Sequence, residues 1–435
     1  MAESTSHVRF AATRGSITRR LFRDQPPRLE PDGAPRPRAA EFFAGIGLVR
    51  LAIEKAGFDV VFANDIDPMK HKIYADNFSI DDFVLGDIHQ IAADSIPDCE
   101  LFTASFPCND LSVAGAQSGL DGAQSSAFWG LIRILRELGE RRPAVVMLEN
   151  VPGFLASQGG RDFARALTAL NELGYLVDAV MIDAARFVPQ SRQRLFVVAS
   201  GPHLRVLGHE AAQELAAASA PEQLEQLGQL EQLGQLGQLQ PSVWRPRALT
   251  DFITKHPELA WRLADLPALP TGRPRLRDVI EKLPDDDPAW WVEKRVEYFM
   301  SQLSPRHAAE AALMIAGHRV SYGTAFRRVR HGKSMAELRT DGIAGCLRTP
   351  RGGSGRQILF KAGQGRRQVR LLTARECARL QGVPDSYEIK VPLNQALFGF
   401  GDAVCVPAVE WLARHYLLPV ARAALAPLDR ESPTR

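Results

Sequence analysis

Between residues 39 and 200, short apolar runs alternate with stretches of helical period, and this rhythm constrains the fold more than any other feature. Ala40–Phe43, Val60–Ala63, Leu101–Ser105, Val145–Leu148, Val177–Ile182 and Leu195–Ala199 read as strands. Leu48–Ala56, Phe128–Leu138 and Arg161–Leu173 read as helices lying between them. Strands alternating with helices predict an α/β fold, a doubly wound, mostly parallel sheet with helices on both faces. Such a sheet takes its ligands beyond the carboxyl ends of its strands, so the residues following each strand matter most.

The rest of the chain lacks this rhythm. Residues 1–38 hold eight arginines and several prolines with no apolar period, and predict a disordered basic tail. A low-complexity insertion spans 201–240; its leucines at 224, 227, 230, 233, 236 and 239 repeat every three residues, which winds them around a helix instead of along one face. Residues 241–372 form a second, smaller region, 373–420 return to helical patterning that should pack back on the first domain, and 421–435 read as a C-terminal tail.

With 45% hydrophobic and 24% charged residues in 435, the composition is that of a globular protein. No run of eighteen apolar residues predicts a membrane span, and no secretory signal is apparent. The five cysteines include no C-x-x-C pair, so neither a zinc site nor a disulfide framework is expected, no metal is implied, and a reducing cytoplasm fits. The net charge of +3 conceals a segment, Tyr322 to Arg370, with twelve Lys/Arg against two acidic residues, which leaves the remainder at −7. An ordered body with one strongly basic segment predicts a polyanion-binding surface.

The strand tips carry chemistry. The first is followed by Glu41-Phe42-Phe43-Ala44-Gly45-Ile46-Gly47-Leu48, a glycine turn opening a helix. Arg50 stands where a dinucleotide fingerprint needs its third glycine, which disfavours a nicotinamide enzyme. The second tip offers Asn64-Asp65 and the third Gly86-Asp87-Ile88. Each aspartate alone is as readily a helix cap as a ligand; three successive tips supplying Gly, Asp and Asp point to an adenosine-containing cofactor. The fourth tip, Phe106-Pro107-Cys108, sets a cysteine in a polar loop, a poor place for core packing and a good one for a nucleophile. The fifth ends in Glu149-Asn150-Val151, and Arg192 and Arg194 alternate onto one side of the strand that follows.

In this order, with Gln190-x-Arg192-x-Arg194, Arg375-Glu376-Cys377 through Pro384, and Gly399-Phe400-Gly401-Asp402-Ala403-Val404, the motifs resemble the DNA cytosine-5 methyltransferase family over residues 40–200 and 373–418. The resemblance implies a Rossmann-like S-adenosylmethionine-dependent fold with an inserted target-recognition domain. It implies Cys108 as the nucleophile on carbon 6 of cytosine, Glu149 as the group bonding the ring nitrogen and exocyclic amine, and Arg192 and Arg194 as steadying the flipped base. For S-adenosyl-L-methionine it implies Phe43, Gly45, Ile46, Gly47, Asp65, Asp87, Ile88, Ala403 and Val404. The basic segment lies where the family keeps its recognition region, and Arg327, Arg328, Arg330, Arg348, Arg351 and Arg356 are the candidate contacts to double-stranded DNA. A cytoplasmic monomer of the bacterial restriction–modification type, with a cognate restriction endonuclease as functional partner, is the expectation by analogy. Two positions depart from the pattern: Asn109 replaces the usual Gln, and Asp402 the usual Asn. An RNA cytosine methyltransferase and a DNA-binding protein without catalysis are the alternatives.

Overall fold

A computed structural model describes residues 28–29, 33, 35–107, 120, 122, 126–201, 236, 239–272, 274–330, 332–349 and 355–425. Its main element is a seven-stranded sheet in the order β3-β2-β1-β4-β5-β7-β6. The strands are β1 (Arg38–Phe42), β2 (Asp59–Asp65), β3 (Phe83–Leu85), β4 (Leu101–Ala104), β5 (Val145–Asn150), β6 (Leu176–Asp183) and β7 (Gln193–Ser200). Helices α1 (Leu48–Ala56), α2 (Pro68–Ala75), α3 (Ala127–Leu138) and α4 (Arg161–Glu172) connect them. The six sequence-read strands are all present, and β3 is an addition too short to carry a period. One direction differs from the simple rhythm. β6 and β7 form a hairpin, and β7 runs antiparallel to both β5 and β6. That reversal brings the start of β7, with Arg194, to the edge where β5 ends in Glu149 and Asn150.

Apart from the short edge strand β3, the strands are largely buried on both faces, as a sheet covered by two helix layers requires. One core joins Val49, Ile53, Phe58, Val180 and Phe196 to the C-terminal helices; the other joins Phe62, Phe102, Leu131, Phe163 and Val197. The order reverses between β1 and β4, the crevice where such sheets bind ligands.

The second region divides differently from the sequence reading at 241. Residues 241 to about 280 pack on the large sheet. Trp244 stacks on Trp411 at 4.6 Å, Arg245 pairs with fully buried Asp178 at 2.7 Å, and helix α5 (Arg247–Lys255) buries Leu249 and Ile253 in the second core. The separate small core begins with α6 (Glu293–Ser301) and α7 (Pro305–Ala316). These helices cover a four-stranded sheet ordered β11-β10-β8-β9, from β8 (Ser321–Arg330), β9 (Lys333–Arg339), β10 (Ile358–Gly363) and β11 (Arg366–Leu371).

The chain then returns through α8 (Ala374–Leu380), α9 (Leu393–Asp402), α10 (Val406–Leu412) and α11 (Leu418–Leu425). The last of these carries the fold past 421, where the sequence suggested a tail, because Val420 and Ala421 are buried in the first core. The run Leu393–Leu425 is long and apolar enough to cross a bilayer, but 67% of its apolar window is buried inside the fold, as in a core helix. Most of the basic tail and of the leucine repeat lies outside the described residues; at the repeat's end Leu236 and Leu239 pack into the second core.

Candidate active site

The tips of β1, β2, β3, β4 and β5 open into one cavity of about 620 Å³. The β1–α1 turn forms its floor. Phe43, Gly45 and Gly47 all adopt positive φ, at 57°, 58° and 80°. A left-handed Phe43 is strained, and the turn is held by Ala44 N–H donating to Asn64 O and Gly47 N–H to Ala44 O, both at 2.9 Å. A Cβ at Gly47 would collide with the Phe78 ring. Gly399 on α9 would likewise place a Cβ 2.9 Å from Ile46, so two glycines let the last motif close on the first.

Carboxylates and amides knit the next tips. Asp65 accepts from Gly45 N–H through Oδ2 and from Asp67 N–H through Oδ1, each at 2.8 Å. Burial pushes its carboxyl above the usual range, opposed by Lys70 and by those two amides. Asp67 caps α2, accepting from Met69 N–H at 2.8 Å. Asn64 donates to Val84 O and Gly86 O at 2.9 Å and so positions the third tip. There Asp87 accepts from His89 N–H at 2.9 Å and lines the cavity beside Ile88.

Glu149 and Arg194 meet on the opposite wall, Arg194 Nε lying 2.9 Å from Glu149 Oε1, with both side chains largely buried. Asn150 donates to Phe106 O at 3.1 Å, which fixes the fourth tip two residues before Cys108. Cys108 itself, with Asn109 and the loop beyond, lies outside the described residues.

Arg192 is placed differently from its neighbour. Its buried guanidinium donates to Leu347 O at 2.8 Å, to Ala403 O at 2.6 Å and to Cys346 Sγ at 3.3 Å. It therefore ties the segment at Cys346 and Leu347, between β9 and β10, to the end of α9. Gln190 reinforces the tie, accepting from Leu347 N–H at 2.9 Å and donating to Leu380 O at 2.7 Å. Burial opposes ionisation of Cys346, but Arg192, Arg194 and Arg348 outweigh it and hold the thiol below its ordinary value.

Thus Phe43, Gly45, Ile46, Asp65, Asp87, Ile88, Glu149, Arg192, Arg194, Ala403 and Val404 line one cavity, whereas Gly47, in the same turn, faces Phe78 and Tyr74 and is not among the lining residues. Ile66 and Phe398, apolar side chains 66% and 42% exposed, also line the cavity and belong to none of the candidate residues named from the sequence. Ile66 was detectable as an apolar residue flanked by two aspartates at a strand tip. Lys70 and Thr349 are further lining residues.

The candidate DNA contacts are dispersed. Arg327 donates to Gln302 Oε1 at 2.9 Å and lies 5.5 Å from the Trp291 ring centre. Exposed Arg328 lies 3.8 Å from Glu337. Arg356 donates to Asn394 Oδ1 at 2.7 Å, tying its loop to α9. Arg348 is exposed beside the cavity's Thr349. Arg330 closes the β8–β9 hairpin opposite Lys333, and Arg351 lies outside the described residues. Among the described residues no group of three or more His, Cys, Asp or Glu is placed to hold a metal.

A family model described as C-5 cytosine-specific DNA methylase matches residues 38–417. Type II methyltransferase M.HhaI of Haemophilus parahaemolyticus is 26% identical over 383 residues, covering 86% of this chain and 93% of its own length. Type II methyltransferase M.HpaII of Haemophilus parainfluenzae is also 26% identical, over 88% of this chain and 90% of its own. In fold, the chain resembles the Dnmt2 methyltransferase of S. pombe with a TM-score of 0.53, at 18% identity over 87% of this chain and 96% of that one.

Proposed function

The chain belongs to the C-5 cytosine-specific DNA methylase family, and from that premise we propose that it transfers a methyl group from S-adenosyl-L-methionine to carbon 5 of cytosine within a specific sequence of double-stranded DNA. The observation that carries this reading is the single cavity joining the Gly45–Asp65–Asp87 tips to the Glu149–Arg194 pair. The cavity fits the cofactor. Its volume is in the range of small-molecule sites, its lining glycines Gly45 and Gly86 leave space that a Cβ would enter, and the buried Ser105 hydroxyl on its wall has no hydrogen-bond partner among the described residues. Asp65 and Asp87 would hold the ribose and the adenine amine, while Phe43, Ile46, Ile88, Ala403 and Val404 would enclose the remainder. When bound, the cofactor supplies an electrophilic methyl group.

The protein's own groups do the rest. The target carbon is inaccessible in a duplex, so the cytosine must leave the stack. Glu149, oriented by Arg194, then hydrogen-bonds ring nitrogen 3 and the exocyclic amine, favouring protonation of the ring as the Cys108 thiolate adds to carbon 6. That addition makes carbon 5 nucleophilic. After transfer, loss of the carbon 5 proton and departure of the thiolate restore the aromatic ring. Arg192 holds the segment at Cys346 and Leu347 against the end of α9, which keeps that segment beside the reacting base. Arg327, Arg328, Arg330, Arg348, Arg351 and Arg356 supply phosphate and base contacts.

By analogy with its type II relatives, the chain protects the DNA of a bacterial cell in a restriction–modification system, acting as a cytoplasmic monomer beside a cognate endonuclease. Labelled methyl transfer from S-adenosylmethionine tests the reading, with duplex DNA and RNA as competing acceptors. Label in the C5 position of DNA cytosines is expected. Label in RNA alone, or in neither, would refute it.

A further inference from the structure

Lys70 and Asp402 form an ion pair of 2.8 Å between α2 and α9, elements 332 positions apart in the chain. Both residues line the cavity, and their side chains remain 23% and 47% exposed, which puts the pair on its rim. Neither charge suits its own helix. Lys70 stands in the first turn of α2, where the helix dipole disfavours a cation. Asp402 is the last residue of α9, where it disfavours an anion. Asp402 is also the position at which this chain departs from the family's amide. Two charges placed against their helices and paired with each other suit a role in bridging the helices. The bridge closes beside the exposed Ile66 and Phe398, each four residues before one partner.

We propose that the Lys70–Asp402 pair is a latch across the rim of the cofactor pocket, which must open for cofactor to enter and product to leave. The proposal rests on the reading of this cavity as the S-adenosylmethionine site. An ion pair at this exposure is weakened by salt, so exchange should accelerate as ionic strength rises.

The test is the dissociation rate of S-adenosylhomocysteine from the full chain, measured by stopped flow at low and high salt. The variants are Asp402→Asn, Lys70→Met, their combination, and the charge swap Lys70→Asp/Asp402→Lys. At low salt, dissociation should be about two- to fivefold faster in each single variant, the scale of one half-exposed pair. The combination should be no faster than either single variant, salt should accelerate only the wild type and the swap, and the swap should restore slow release. A packing role alone would not produce salt dependence or rescue by the swap. Wild-type release that salt and Asp402→Asn both leave unchanged would overturn the latch while leaving the cofactor reading intact. Failure of the wild type to bind S-adenosylhomocysteine would overturn the reading of the site, and the latch with it.

Discussion

Replacing Arg370 with Met should destabilise the protein far more than its distance from the cavity suggests. Arg370 and Glu376 are both fully buried and pair through two contacts, of 2.5 and 2.7 Å. The Glu376 carboxylate also accepts from Glu281 N–H at 2.8 Å and Thr373 N–H at 2.9 Å. Glu281 lies on the segment entering the small domain, and Arg370 and Thr373 lie on the one leaving it, so one carboxylate secures both connections. Removing the guanidinium leaves a charge without its counter-ion in a dry site, a loss of about 3–5 kcal/mol. Adding Glu376→Gln removes the charge and keeps one oxygen for the amides, which should recover roughly 1–2 kcal/mol. Urea unfolding followed by circular dichroism checks both, with the loss read as a lower midpoint at constant slope. Arg370→Met within about 1 kcal/mol of wild type, or a double variant worse than the single, would refute the reasoning.

Three further outcomes follow from the geometry. Glu149→Gln and Arg194→Ala should each lower the transfer rate by about 10²-fold or more in single-turnover assays while S-adenosylhomocysteine still binds; an unchanged rate would exclude Glu149 from proton handling or Arg194 from orienting it. Burial, opposed by Arg50, raises the Glu41 carboxyl to about 8, so its contribution to stability is full below its unfolded value near 4.5 and is lost as pH rises through 8. Glu41→Gln should flatten the decline in stability between pH 5 and 8, measured as urea midpoints, and a parallel decline in both proteins would contradict that assignment. Gly399→Ala should push α9 off the Ile46 turn, costing about 1–3 kcal/mol and weakening S-adenosylhomocysteine binding in calorimetry.

The strand tips were readable because each motif directly follows an apolar run, which fixes its place on the sheet edge whatever the helices do. The direction of β7 was not, since Leu195–Ala199 is equally apolar read either way and only the short β6–β7 connection reverses it. The ownership of residues 241–280 was hidden for a similar reason: a proline-rich segment has no period to say which core receives Trp244 and Leu266. Arg192 and Arg194 look equivalent two residues apart, yet one secures backbone carbonyls and the other a carboxylate. The Lys70–Asp402 pair joins distant segments, and only the closed fold brings them within 2.8 Å.

In the proposed reaction, methyl transfer to carbon 5 of DNA cytosine depends on Cys108 as nucleophile. Bisulfite sequencing of DNA from cells expressing the wild type and, separately, Cys108→Ala tests it most directly. Protected cytosines within one short sequence are expected, present with the wild type and absent with the variant. Protection that persists in Cys108→Ala, or none with soluble wild-type protein, would contradict it.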